Sequence, residues 1–481
     1  MPESSDRNPD AQAADAPRPV LGLGSAVLLI VGIVVGAGIF KAPAAVAGMT
    51  GSPGWMFLAW ALGALLSVIG ALCYAELATA YAHAGGDYHF LQRAFGRALA
   101  FLYGWARYAV ITTGSIALLA FVFGDYMQQA LPLGALAPAA GSTAYAAGAV
   151  LALSLLNLHG LRTGSATQSW LTLAEVGGLL VVAATAALLL PQAAPAAAGP
   201  APAPAGAPPA FGLAMVFVLL TYGGWNEAAY ISAELRDARR DMVRALLLSV
   251  GLVAALYLLV CWAYWHVLGM EGLAASSAPA ADVLRRGFGP PGERLMAALV
   301  ALSALTSINA TMIVGARTGY AMGRDWHRLG WLARWDGARA CPVTALGAQG
   351  AAALLLVGAG SASGDGFRAM VEFTAPVFWL FFLLTGIALF VLRRRDPQHP
   401  RPFRVPWYPL LPLLFCASSA AMLVSSLSYV SQQSLGGVSA AWVGVGVLAV
   451  GVLLLLALQR DARIRAEAAI AFHPKHKEKH R

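Results

Sequence analysis

Of the 481 residues, 59% are hydrophobic and 11% charged, against roughly 25% charged in a soluble domain. That balance excludes a soluble globular protein, and repeated apolar runs of about twenty residues mark membrane helices. The net charge of +9 would suit nucleic acid or anionic lipid, but its placement along the chain assigns it to membrane topology, as argued below.

Residues 1–20 are polar and rich in Ala, Asp and Pro. No positive region leads into a short cleavable core, so no signal peptide is read, and a disordered cytoplasmic arm is expected. Twelve spans follow, at about 22–46, 54–81, 99–127, 142–159, 168–190, 211–234, 243–268, 293–320, 342–359, 369–392, 408–429 and 437–458. The short alternating strands of a membrane barrel are absent. The expected fold class is an all-α integral membrane protein with twelve transmembrane helices.

Two spans are interrupted. Span 1 contains Gly36-Ala37-Gly38-Ile39-Phe40, and span 6 contains Thr221-Tyr222-Gly223-Gly224-Trp225-Asn226. Each break begins about eleven residues into its span, counted from 25 and from 211. Mid-bilayer glycines weaken a helix, and the freed backbone groups need a polar partner or a cavity. Matched interruptions in two halves point to a transporter binding site. Close packing through small residues explains single glycines, but not two clusters at matched positions.

Between the halves, residues 191–210 form an uncharged Pro/Ala linker, expected to be extended or disordered. Five spans precede it, so the second half enters from the opposite side, giving a five-plus-five inverted repeat. The repeats are about 22–190 and 211–392, spans 11 and 12 (408–458) lie outside them, and one transporter domain covers 21–460. A charged, proline-rich loop, RRRDPQHPRPFRVP, precedes span 11, and residues 461–481 form a basic tail. With a cytoplasmic N-terminus, 26 of the 32 Lys and Arg residues fall on the inner side. This positive-inside bias places both termini in the cytoplasm, and the protein in a cytoplasmic (inner) membrane. The tail His473–Arg481 is solvated or touches anionic lipid. Cys73, Cys261, Cys341 and Cys416 show no metal spacing and read as apolar packing residues. No cofactor or metal is expected.

Four segments in order carry a resemblance. They are GAGIF at 36–40, GGDYHFLQRAFG at 85–96, TYGGWNEAAYISAELRDARRDMVRALLLS at 221–249 and SINATMIVGARTGYAMGRD at 307–325. GAGIF alone is weak; the ordered set is specific and spans nearly all of 20–430. The chain resembles the amino acid–polyamine–organocation superfamily, and within it bacterial members of the L-type amino acid transporter family. The resemblance implies a LeuT-like fold of twelve helices, with two inverted five-helix repeats and broken helices 1 and 6. Some eukaryotic members pair with a single-span subunit.

A zwitterionic amino acid needs donors for its carboxylate and acceptors for its ammonium. The break in span 1 offers the amides of Ala37, Gly38 and Ile39 at a half-helix N-terminus, which favours an anion. Gly36 and Gly38 let a substrate approach the backbone. In span 6, carbonyls around Leu220, Thr221 and Tyr222, before the Gly223 turn, accept from the ammonium. The substrate side chain then points toward Leu220, Tyr222 and Asn226. By resemblance, Leu220 stands where many relatives carry an aromatic gate. Asn226 matches an asparagine of the family's substrate site; an interhelical hydrogen bond is its competing role.

Charged groups inside spans are functional candidates by default. Glu76 and Glu234 lie near the inner ends of spans 2 and 6, where they can face the interface. Glu372 starts span 10, and Arg107 can form a buried structural pair. Glu175 and Glu227 lie deeper. In L-type relatives the position of Glu175, about eight residues into span 5, often holds a lysine that replaces a sodium ion; here the charge is inverted. A carboxyl there can carry a coupling proton or meet a cationic substrate, or it can be a paired structural group. Ser303 and Ser307 share a helical face of span 8. The family places cation-like contacts here, so Ser307 is a candidate neighbour of Glu175; small-residue packing is its alternative. Asp241 is expected to cap span 7.

The leading function is secondary active transport of amino acids, with proton coupling through Glu175 or Glu227. The alternative is a transporter or exchanger of polyamines or other organic cations, suggested by the extra carboxylates. No catalytic constellation or nucleotide-binding loop supports an enzyme or a primary pump, and a channel does not need matched broken helices.

Overall fold

The computed structural model describes residues 22–83, 85–134, 136–159, 165–189, 210–235, 237–336, 341–428, 434–435 and 438–472. The expected arm (1–20), most of the linker (191–209) and the end of the tail (473–481) lie outside the described residues. Nine helices among the described residues are long and apolar enough to cross a membrane. They are Pro53–Ala80, Arg97–Ala130, Pro138–Leu158, Arg240–Ala275, Pro279–Asp325, Val343–Ser361, Gly366–Arg395, Leu410–Ser428 and Ala440–Arg460. These coincide with spans 2–4 and 7–12. Span 5 carries a shorter apolar helix, Thr172–Leu188, and spans 1 and 6 are shortened by their breaks. The chain is a multi-pass membrane protein whose described residues are helical apart from loops and one two-stranded hairpin, Ser434–Leu435 with Val438–Ser439. Large apolar side chains such as Leu65, Leu248, Leu355 and Leu453 face outward, as a lipid-facing surface requires.

Span 1 begins as helix Leu23–Val34. Gly36 is extended (φ −107°, ψ −169°), a 3₁₀ turn covers Ala37–Phe40, and a second helix runs Ala42–Thr50. Span 6 is helical over Phe211–Thr221, then resumes as a 3₁₀ helix over Trp225–Glu234. Between them Gly224 takes φ +103°, a conformation costly for any residue with a Cβ. Span 3 contains one π turn, Arg107–Thr112, a distortion that concentrates at functional sites.

Three boundaries differ from expectation. Span 7 starts at Ala238, and Asp237 caps it by accepting from the Arg240 amide at 3.2 Å. Asp241, the expected cap, lies inside the first turn. There it favours the helix dipole, while the capping position demands the non-helical backbone that Asp237 has (φ −128°, ψ 77°). Span 8 is helical from Pro279, with a non-helical joint at Gly289 before Pro290 and Pro291. The final helix runs from Ala440 to Phe472, into the region read as tail.

Candidate substrate site

The two breaks meet. A Cβ on Gly38 would lie 3.2 Å from Thr221 Cγ2, and one on Gly224 would lie 3.1 Å from the Ile33 carbonyl oxygen. The hydroxyl of Tyr257, on span 7, lies 2.8 Å from the Val34 carbonyl and 3.3 Å from the Thr221 carbonyl. It donates to one or the other. Helix ends leave carbonyls without intrahelical partners, and here the ends of both first half-helices share one buried donor. Tyr257 was not singled out from the sequence, although a buried tyrosine in an apolar run normally finds a partner for its hydroxyl.

Beside this junction lies a cavity of about 280 Å³. Of the residues expected at the site, Gly36, Gly38, Leu220, Thr221, Gly223, Asn226 and Glu227 line it. Ile39 and Tyr222 do not: Ile39 is fully buried in the core. The Tyr222 ring packs on Trp60 and Tyr257, with centroids 5.7 and 5.1 Å away. The backbone of Ala37 lies in the 3₁₀ turn, between the two lining glycines. The Asn226 side-chain oxygen accepts from the Gly224 amide at 3.3 Å, so Asn226 braces the break as well as facing the cavity. Leu220 lines the wall without an aromatic ring, but Phe217 and Phe367 do supply rings there, 6.2 Å apart. Those two, with Ser115, Thr374 and Phe378, are lining residues missed in the sequence.

Glu175 and Ser307 lie off the cavity wall. Glu175 is buried and accepts a hydrogen bond from Ser303. Ser307, the expected neighbour, sits one helical turn further along span 8 and is half-buried. The nearer serine of that shared face takes the contact.

Glu227 is paired. Arg107 donates to both its carboxylate oxygens, at 3.1 and 2.9 Å. Arg107 also donates to the Tyr103 hydroxyl at 3.3 Å, which in turn donates to Asp87 at 3.2 Å. These groups surround a second cavity of about 30 Å³ that shares Ile111, Asn226, Glu227 and Phe378 with the first. A polar line thus leads from the substrate cavity to the connecting helix Gly86–Phe95. Burial pushes the Asp87 carboxyl up to about 6, against the hydrogen bonds from Tyr74 and Tyr103 that favour its ionised form. A carboxyl raised in the folded state contributes stability below its unfolded pKa, and that contribution is lost as pH rises through about 6. Asp87→Asn is therefore expected to flatten the fall in thermal midpoint between pH 4 and roughly pH 7; parallel curves for variant and parent would reject this role.

On the opposite side of the site a third cavity of about 390 Å³ is lined by Lys41, Asp125, Ser142, Asp365 and Phe367. Lys41 pairs with Asp125 at 2.6 Å. Phe367 belongs to both this cavity and the substrate cavity, so its ring is a shared partition. Among the described residues, two further buried carboxylates are ion-paired: Glu372 with Arg368 at 3.0 Å, and Glu76 with Arg393.

Two interrupted helices that meet at a largely apolar cavity within a helical membrane body define a transporter of the broken-helix class. The family comparison agrees: residues 21–458 match the amino acid permease family. The chain belongs to that family. It is similar to the b(0,+)-type amino acid transporter 1 of Homo sapiens, 30% identical over 412 residues, covering 85% of this chain and 82% of the relative. It is also similar to the large neutral amino acids transporter small subunit 2 of Mus musculus, 28% identical over 439 residues, covering 88% and 80%.

Proposed function

We propose that the chain carries amino acids across the cytoplasmic membrane by alternating access. The observation that carries this reading is the cavity at the junction of the two breaks. Its glycine-lined side brings a ligand against the first amides of the 3₁₀ turn at 37–40, suited to a carboxylate. Its other side offers the end of helix Phe211–Thr221, where carbonyls suit an ammonium. The named relatives are amino acid transporters, which supports the same ligand class. Transport of polyamines is the weaker reading, because Arg107 already balances the charge of Glu227. Uptake of a labelled amino acid panel into liposomes holding the purified protein tests it; uptake of polyamines alone would overturn it.

The repeat division at 22–190 and 211–392 fits the matched breaks. Both termini are assigned to the cytoplasm from the arginine asymmetry. Single cysteines in the 191–210 linker are expected to react with an impermeant thiol reagent outside intact cells, and cysteines in the 393–404 loop to stay protected. Labelling of the loop would reverse the topology.

Coupling is assigned to Glu175. Among the described residues it has no ion-pair partner, and its bond to Ser303 suits either protonation state of a carboxyl. Proton binding drives transport only if its affinity differs between the two access states. Glu175→Gln is expected to bind substrate yet lose dependence on an imposed proton gradient. Wild-type uptake that ignores a protonophore, with sodium absent, would remove the proton from the cycle.

A further inference from the structure

Among the described residues, Glu227 is the one charged side chain lining the substrate cavity. Most of the rest of the wall, apart from the breaks, is aliphatic or aromatic, including Ile111, Leu118 and Phe378. Arg107 does not line this cavity; it borders the smaller cavity behind Glu227. The exposures agree, 31% for the Glu227 side chain and 14% for that of Arg107. The guanidinium therefore grips the carboxylate from the rear, one bond to each oxygen.

A carboxylate has about four acceptor positions, and the fork of Arg107 uses two. The fork leaves the others, and the Glu227 side chain lines the cavity. The pair is close to neutral, so the cavity meets a fixed hydrogen-bond acceptor with little net charge. Its orientation is fixed at both ends. Arg107 sits in the π turn of span 3 and is braced by Tyr103, and Glu227 follows the Gly224 break.

Resting on the amino acid reading above, we propose that Glu227, backed by Arg107, selects the substrate side chain. It favours neutral side chains that end in a hydrogen-bond donor, such as the carboxamide of glutamine, over apolar chains of similar length. An apolar chain would desolvate the acceptor without replacing its bond, and sites of this kind reject analogues that lack the donor. A full cation gains less than its charge suggests, because Arg107 has already matched Glu227.

The test is competition uptake in liposomes holding the full-length protein, with glutamine, methionine and lysine. Wild type is expected to prefer glutamine to methionine by tenfold or more. Glu227→Leu is expected to abolish or invert that preference while methionine is still carried. Arg107→Met leaves the carboxylate unmatched and is expected to raise lysine relative to glutamine by about tenfold, one order of magnitude in an equilibrium ratio. Wild type that takes methionine as readily as glutamine overturns the proposal, whatever the fate of the variants. So does a folded Glu227→Leu protein with an unchanged ratio, or a folded Arg107→Met protein with no gain for lysine. If wild type carries no amino acid of the wider panel, the amino acid reading itself falls; if it carries others but none of these three, or these three without discrimination, only the selector falls.

Discussion

Gly38→Val is expected to cut amino acid uptake in liposomes roughly a hundredfold while the protein still reaches the membrane. Gly38 lines the cavity, and a Cβ there would already stand 3.2 Å from Thr221 Cγ2. Valine adds two further carbons, stiff about χ1, at the point where the two breaks touch. They fill the approach to the first amides of the turn and push span 6 away from span 1. Displacement of a bound group by an ångström can cost roughly a hundredfold in rate, and an uptake loss of that order is expected. Gly38→Ala adds only the Cβ and should lose less. A well-expressed Gly38→Val protein with normal uptake would remove the span 1 break from the site.

The breaks were legible because they are local. Glycine clusters interrupt two apolar runs, and nothing distant is needed to see them. The long spans were legible for the same reason, since lipid demands continuous apolar sequence. Side-chain direction near the breaks was not. Tyr222 was expected to face the substrate, yet its backbone is still helical (φ −73°, ψ −12°). It therefore keeps the 3.6-residue period and shares a face with Val218, one turn earlier. Both press on Gly63 of span 2, while Phe217, Leu220 and Thr221 turn to the cavity.

Partners far apart in the chain were the other blind spot. Arg107 and Glu227 are 120 positions apart, and only the packed helices bring them together. The sequence left Glu227 open between a free carboxylate and a paired group, and the pair decides it. The gate position shows a third kind of difference. Leucine at 220 brings no ring to the position where the resemblance implies an aromatic gate, but Phe217 and Phe367 place rings on the same wall. One missing aromatic does not make an open site, because several helices can reach the same point. Tyr257 was invisible in a stronger sense. Its role follows from where two half-helices end, and no spacing along span 7 encodes that.

Glu76→Ala is expected to cost about 3–5 kcal/mol of stability, the range for removing one partner of a buried ion pair. From the sequence, Glu76 could simply face the membrane interface. In the fold its residue surface is only 2% exposed. Arg393 grips it with Nε at 2.7 Å and Nη2 at 2.5 Å, and the Val405 amide donates at 2.7 Å. Arg401 stands 3.7 Å away. One carboxylate thus ties both ends of the loop between spans 10 and 11 to span 2. Alanine leaves Arg393 and Arg401 without their shared counter-charge and the Val405 amide without its acceptor. Glu76→Gln keeps an acceptor for one donor and should lose less. Arg393→Ala added to Glu76→Ala should recover part of the loss, since removing both partners is milder than stranding one. Thermal unfolding of the detergent-purified proteins measures each step. Equal midpoints for Glu76→Ala and parent would show that the clamp does not hold the loop in place.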